Sequence, residues 1–212
     1  MKSTLFTFLN QSFHLHPLKA LFWEEKSTLL LSDLHLGKVA HFRKEGIPVP
    51  ATAGDENWDK LLYLIINFKP RRVLFLGDLF HSTYNIAWES LGDLIKQFNT
   101  IRFELVVGNH DILSRDQYER CGLGLHDFLK EPPFLFSHEP CEDKVLYNIA
   151  GHIHPCVWLS GSGKQRLKLA CFFFGKKQGI LPAFGSFTGM ATIGVEEDDQ
   201  VFVVAEDTVL RV

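Results

Sequence analysis

Short apolar runs, each cut off by an acidic, amide or imidazole side chain, constrain this chain more than any other feature. Thr28 to Ser32 ends at Asp33-Leu34-His35, and Arg72 to Leu76 ends at Gly77-Asp78. Phe103 to Val107 ends at Gly108-Asn109-His110-Asp111. Phe134-Leu135-Phe136 ends at Ser137-His138, and Tyr147 to Ala150 ends at Gly151-His152-Ile153-His154. Runs this short and apolar read as buried strands. Open α/β folds bind their ligands just past the carboxyl ends of such strands. Asp33 and His35 are two positions apart, as are His152 and His154, so in extended chain each pair points to one face. The glycines at 77, 108 and 151 let the backbone turn tightly beside the site.

The first half alternates strand and helix. Strands are predicted over 5–9, 13–16, 21–23 and 28–32, a helix over 52–68, a strand over 72–76, a helix over 86–98 and a strand over 103–107. The first helix follows Pro50 and carries the apolar series Trp58, Leu61, Leu62, Leu64, Ile65 and Phe68. The second half reads as short strands over 134–136, 147–150, 157–159, 167–174, 179–183 and 201–205, with hairpin turns at Gly161-Ser162-Gly163 and Glu196 to Gln200. The expectation is an α/β fold with a second sheet packed on the first. At 212 residues, with no internal repeat, residues 1–212 are expected to form one domain.

Composition narrows the partners. The net charge is -3, so bulk electrostatics do not drive the protein onto nucleic acid. The basic clusters Lys69-Pro70-Arg71-Arg72, Lys164 to Lys168 and Lys176-Lys177 read as solvated turns flanking strands. Nineteen Phe residues suggest a thick aromatic core. The four cysteines form no CxxC pair and match no zinc-site spacing, which reads as reduced thiols. The N-terminus makes a poor secretory signal, and no stretch approaches the roughly 18 apolar residues of a membrane span. A soluble, cytoplasmic protein with no membrane partner is expected.

Seven of the strand-end residues are oxygen or nitrogen donors: Asp33, His35, Asp78, Asn109, His138, His152 and His154. None supplies sulfur, which favours Mn, Fe, Zn, Co or Ni, with manganese the first expectation. Seven ligands exceed the needs of one ion, so two divalent ions sharing a bridging carboxylate are expected. Two carboxylates against two divalent cations leave the site net positive, able to draw a phosphodiester to an acidic protein.

The order D-x-H, G-D, G-N-H-D, H, G-H-x-H resembles the calcineurin-like metallophosphoesterase superfamily. That resemblance implies a four-layer α/β/β/α sandwich of two mixed sheets flanked by helices. The segments SDLHLGKVAHFRKEGIPVP, FLGDLFHS, AGHIHPCV and LPAFGSFTG further resemble the bacterial ligase-associated DNA damage response endonuclease family. By that resemblance, Asp33, His35, Asp78 and His154 hold one metal, and Asp78, Asn109, His138 and His152 the other. A bridging hydroxide is then the nucleophile, His110 protonates the leaving oxygen, and Asp111 orients His110. The resemblance also implies a DNA substrate, a role in repair, and a DNA ligase and a helicase as partners. The basic residue usual in that family after the G-N-H-D motif is Ile112 here.

Other residues carry weaker signals. His81 could touch substrate or pack its loop. His41, Arg43 and Lys44 could contact substrate or form a solvated face. His14, His16 and His126 read as structural or exposed. Gly185-Ser186-Phe187-Thr188-Gly189 lacks the Lys of a P-loop and reads as a tight turn beside the site. Two other functions stay open: a phosphodiesterase for cyclic nucleotides or nucleotide-sugar pyrophosphates, and a non-catalytic scaffold.

Overall fold

The computed structural model describes residues 1–38, 55–80, 86–161, 163, 165–186 and 188–212. Two mixed sheets face each other. The first contains, in spatial as in chain order, β1 (Thr4–Phe8), β2 (Gln11–His16), β3 (Ala20–Trp23), β4 (Thr28–Leu31), β5 (Arg72–Leu76), β6 (Arg102–Val106) and β7 (Leu123–His126). From β1 to β4 the strands form an antiparallel meander, and from β4 to β7 they run parallel.

The second sheet is built from β8 (Leu129–Glu131), β9 (Phe134–Phe136), β10 (Tyr147–Ala150), β11 (Pro155–Ser160), β12 (Arg166–Phe174), β13 (Gln178–Ile180), β14 (Ala191–Thr192), β15 (Gln200–Ala205) and β16 (Thr208–Arg211). At its centre, β9, β10 and β13 run parallel. Among the described residues the helices are α1 (Asp55–Phe68), α2 (Ile86–Gln97) and α3 (Arg115–Arg120).

Alternation along the parallel strands explains the layering. On β4, Leu29 and Leu31 face the helix layer while Leu30 faces the second sheet. On β5, Val73 and Phe75 face the helices, and Leu74 and Leu76 face the other way. A strand covered on both faces must be apolar on both, which is why these runs show no polar alternation. The helix layer contributes Leu61, Leu64 and Ile65 from α1, and Trp88, Leu91 and Leu94 from α2. Between the sheets lie seven buried phenylalanines, among them Phe13, Phe134, Phe136 and Phe174, each contributing about 1.5–3 kcal/mol by leaving water. The far face of the second sheet carries a smaller cluster of Val157, Cys171, Val201 and Val203. No described helix is long and apolar enough to cross a membrane.

Five elements escape the sequence pattern. Helix α3 and strands β7, β8, β14 and β16 are short and at most partly buried, with little apolar repeat to mark them. A signal for α3 exists nonetheless: Gln117 reaches back to accept the backbone N–H of Ser114 at 3.0 Å, the return half of a capping box. Arg72 corrects the reading of its basic cluster as a solvated turn. It is buried, and its guanidinium pairs with both carboxylate oxygens of Glu131 and with Glu104, while Nε donates to Thr28 Oγ1 at 3.1 Å. Glu131 lies on the second sheet, so Arg72 clamps the two sheets at their rim. Of the outlying histidines, His16 is buried and accepts Leu18 N–H on Nδ1, and burial lowers its pKa to about 4.

Candidate metal centre

The two sheets present their parallel strand ends at one edge of the sandwich. Asp33 and Asp78 each lie two residues past the ends of the paired strands β4 and β5, and Asn109 lies three past β6. From the second sheet, His138 and His152 each lie two residues past the ends of the paired strands β9 and β10. The expected extended backbone does not carry the ligands. Asp33, His35, Asp78, His152 and His154 all have positive φ, between 47° and 65°. Their side chains converge through left-handed turns and not through strand alternation. Such residues cost of order 1–3 kcal/mol each and gather at functional sites.

Two glycines make the convergence possible. A Cβ on Gly77, whose φ is +79°, would stand 2.1 Å from His138 Nδ1. A Cβ on Gly108 would stand 2.4 Å from both the amide nitrogen and Oδ1 of Asp78.

The side chains form two groups. Asp33, His35 and His154 bring one ligand atom each within 4.8 Å of one another, and so do Asp78, His138 and His152. Asp78 faces both: Oδ2 is 3.8 Å from His35 Nε2, and Oδ1 is 3.4 Å from His138 Nε2. Asn109 joins the second group, its Oδ1 lying 3.0 Å from His138 Nε2, and His152 Nδ1 lies 3.0 Å from that same nitrogen. All seven expected ligands are therefore brought together.

Carbonyl groups set the imidazoles. His138 Nδ1 lies 2.9 Å from the Leu76 carbonyl, and His154 Nδ1 lies 3.0 Å from the Gly189 carbonyl. A carbonyl can only accept, so Nδ1 holds the proton and Nε2 of the neutral ring turns a lone pair inward. At His138 that lone pair meets Oδ1 of Asn109 and Oδ1 of Asp78, an all-acceptor arrangement that suits a cation. The residues thus fit divalent metal ions. Burial opposes charge on His154, but the Asp33 carboxylate at 3.2 Å, with Gly189 and Asp78, raises its pKa above the usual histidine value.

Main-chain donors hold the carboxylates. Asp33 accepts the amide of His152 on both oxygens, at 3.2 and 3.0 Å, and Asp78 Oδ1 accepts the amide of His110 at 2.9 Å. The His110 ring stands 5.4 Å from that of His35, centroid to centroid. Asp111 is buried, and its carboxylate accepts the amides of Leu79, Phe80 and Gly108. It therefore fastens the Asp78 loop to the Asn109 loop. Burial, with Asp78 nearby, raises its pKa to about 6 against the pull of those amides. Gly185 and Gly189 do lie beside the site: Gly185 donates to the Asp33 carbonyl, and the Gly189 carbonyl orients His154. The carbonyls of Leu76 and Gly189 were invisible in the sequence, because any residue supplies one. His41, Arg43, Lys44 and His81 lie outside the described residues.

Comparisons with known proteins agree with this geometry. The family model of the calcineurin-like phosphoesterases matches residues 26–165, well over half of the chain. The crystal structure of the nuclease MPE of Pseudomonas putida superposes with a TM-score of 0.84 at 24% identity, covering 100% of both chains. The Escherichia coli phosphoesterase Yfce gives 0.42 at 14% identity, covering 85% of this chain and 88% of that one, which is too loose to carry an argument. No curated protein matches the chain in sequence. The convergent donor groups and the matched family agree: the chain belongs to the calcineurin-like phosphoesterase family and is a metal-dependent phosphoesterase.

Proposed function

We propose that the chain is a two-metal phosphodiesterase acting as a DNA nuclease. The observation that carries the two-metal reading is Asp78, whose two oxygens each face a different donor group. Asp33, His35, Asp78 and His154 would hold one divalent ion, and Asp78, Asn109, His138 and His152 the other, with manganese the first candidate. Bound ions of this kind acidify water and neutralise phosphoryl oxygens. His110, half-buried beside His35, would give a proton to the leaving oxygen. Asp111 acts as a positioning residue, holding the loop that carries His110.

Nuclease activity is favoured by the resemblance to the ligase-associated endonucleases and by the end-to-end fold shared with the P. putida nuclease. Ile112 adds weight against monoesters, since it puts an uncharged side chain where a basic one would meet the extra phosphate charge. The same resemblance suggests a role in DNA repair beside a ligase and a helicase, in the cytoplasm. The whole chain serves as one unit in this reading, because β1 to β3 and β15 to β16 complete the same two sheets.

The deciding experiment assays the manganese-loaded protein side by side on plasmid DNA, bis-p-nitrophenyl phosphate, 2′,3′-cyclic AMP and p-nitrophenyl phosphate. Plasmid nicking and faster turnover of the bis ester than of the monoester are expected, with both lost on chelation. A faster monoester, or activity that survives chelation, overturns the proposal; cleavage of cyclic AMP alone moves it to small nucleotides.

A further inference from the structure

Strands β6 and β7 run parallel with Val106 opposite His126, so the loops after them leave the sheet at the same edge. One loop carries Asn109. The other carries Asp127 and Phe128. A cavity of about 410 Å³ opens between them, lined by Val107, Asn109, Asp127, Phe128, His138 and Glu139 among others. It is continuous with the metal centre, because Asn109 and His138 form one of its walls.

The lining shows what the cavity is made to hold. Its lining holds no Lys or Arg and two carboxylates, of which Asp127 is paired through Oδ1 with Arg115 at 2.8 Å, so Glu139 is the lining carboxylate outside that ion pair. Phe128 is 60% exposed, a large ring that the core does not use. Small-ligand sites combine these features at volumes of roughly 300–1,000 Å³: an apolar wall, few polar groups, and contact with the reacting centre.

We infer that this cavity is a nucleobase subsite, taking the base next to the phosphate held at the metal centre. The base stacks on Phe128, and an N–H group of the base faces the carboxylate of Glu139. The inference rests on the phosphodiesterase reading and deepens it, because a base within a duplex is stacked and paired and cannot enter.

Two diesters with one leaving group test this: thymidine 5′-(p-nitrophenyl phosphate), which carries a base, and methyl p-nitrophenyl phosphate, which does not. Base–aromatic stacking is worth about 1–3 kcal/mol per base, or roughly fivefold to 150-fold. Phe128→Ala should lower kcat/KM for the thymidine ester by that factor and leave the methyl ester within about twofold, and Phe128→Trp should restore it. Equal losses on both esters, or none on either, overturn the subsite. A second readout needs no turnover. Single-stranded oligothymidylate should quench the added indole emission of the Phe128→Trp protein, and the same strand in a duplex should not. If the wild type cleaves neither ester in the presence of metal, the phosphodiesterase reading fails, and the quenching alone then decides the subsite: its absence overturns it.

Discussion

His138, carried by the second sheet, donates its Nδ1 proton to the main-chain carbonyl of Leu76 on the first, at 2.9 Å. One hydrogen bond thus registers the two sheets and aims Nε2 at the metal centre. The bond survives only because Gly77 leaves room, since a Cβ there would stand 2.1 Å from the same nitrogen. Gly77→Ala should therefore turn the His138 ring away and lower metal affinity about 10–100-fold, the usual cost of losing a ligand's outer partner. The left-handed backbone adds a stability cost of about 1–2 kcal/mol. Calorimetric metal titration beside thermal melting separates the two effects; unchanged affinity refutes the role assigned to this bond.

Asp78 faces both donor groups, whereas His154 belongs to one. Asp78→Asn should strip both metals, and His154→Ala only one. Elemental analysis after dialysis reads this directly. Two ions retained by Asp78→Asn would rule out the bridging role.

His110 can be tested cleanly because its backbone amide, which holds Asp78 Oδ1 at 2.9 Å, is kept by alanine. General acid catalysis contributes about 10²–10⁴-fold where the leaving oxygen needs a proton. His110→Ala should cost that much in plasmid nicking and far less with bis-p-nitrophenyl phosphate, whose nitrophenolate departs unaided. Equal losses on both substrates, with metal content unchanged, would assign His110 to phosphoryl binding.

Arg72 makes stability depend on acid. Its hydrogen bonds hold the pKa of Glu131 below the ordinary 4.5. The folded protein then binds that proton less readily than the unfolded chain, so the stabilisation is full above pH about 4.5 and fades as pH falls through the lower folded value. Melting temperatures between pH 3 and 7 should show an acid limb that Glu131→Gln flattens, the two curves converging at low pH. Arg72→Met should cost about 3–5 kcal/mol, because it leaves Glu104 and Glu131 near each other without their cation. A neutral Arg72→Met variant would show that the pair contributes nothing net.

The residues of the metal centre were legible in the sequence because their chemistry is local. An apolar run that stops at Asp, Asn or His, beside Gly in three cases, marks a strand end with a ligand, and five such stops place seven donors without any knowledge of packing. The α/β alternation was legible for the same reason, since burial on both faces leaves β4 and β5 with nearly continuous apolar runs. Only the tertiary structure decided how the donors meet. Left-handed turns at Asp33, His35, Asp78, His152 and His154 aim the side chains, and although Asp and His tolerate a positive φ better than most residues, their presence does not fix one. The carbonyls of Leu76 and Gly189 set the rings, and a carbonyl has no letter of its own. Arg72 looked like part of a solvated turn because its partners, Glu104 and Glu131, lie 32 and 59 residues away, and only the packing of one sheet on the other brings them within reach.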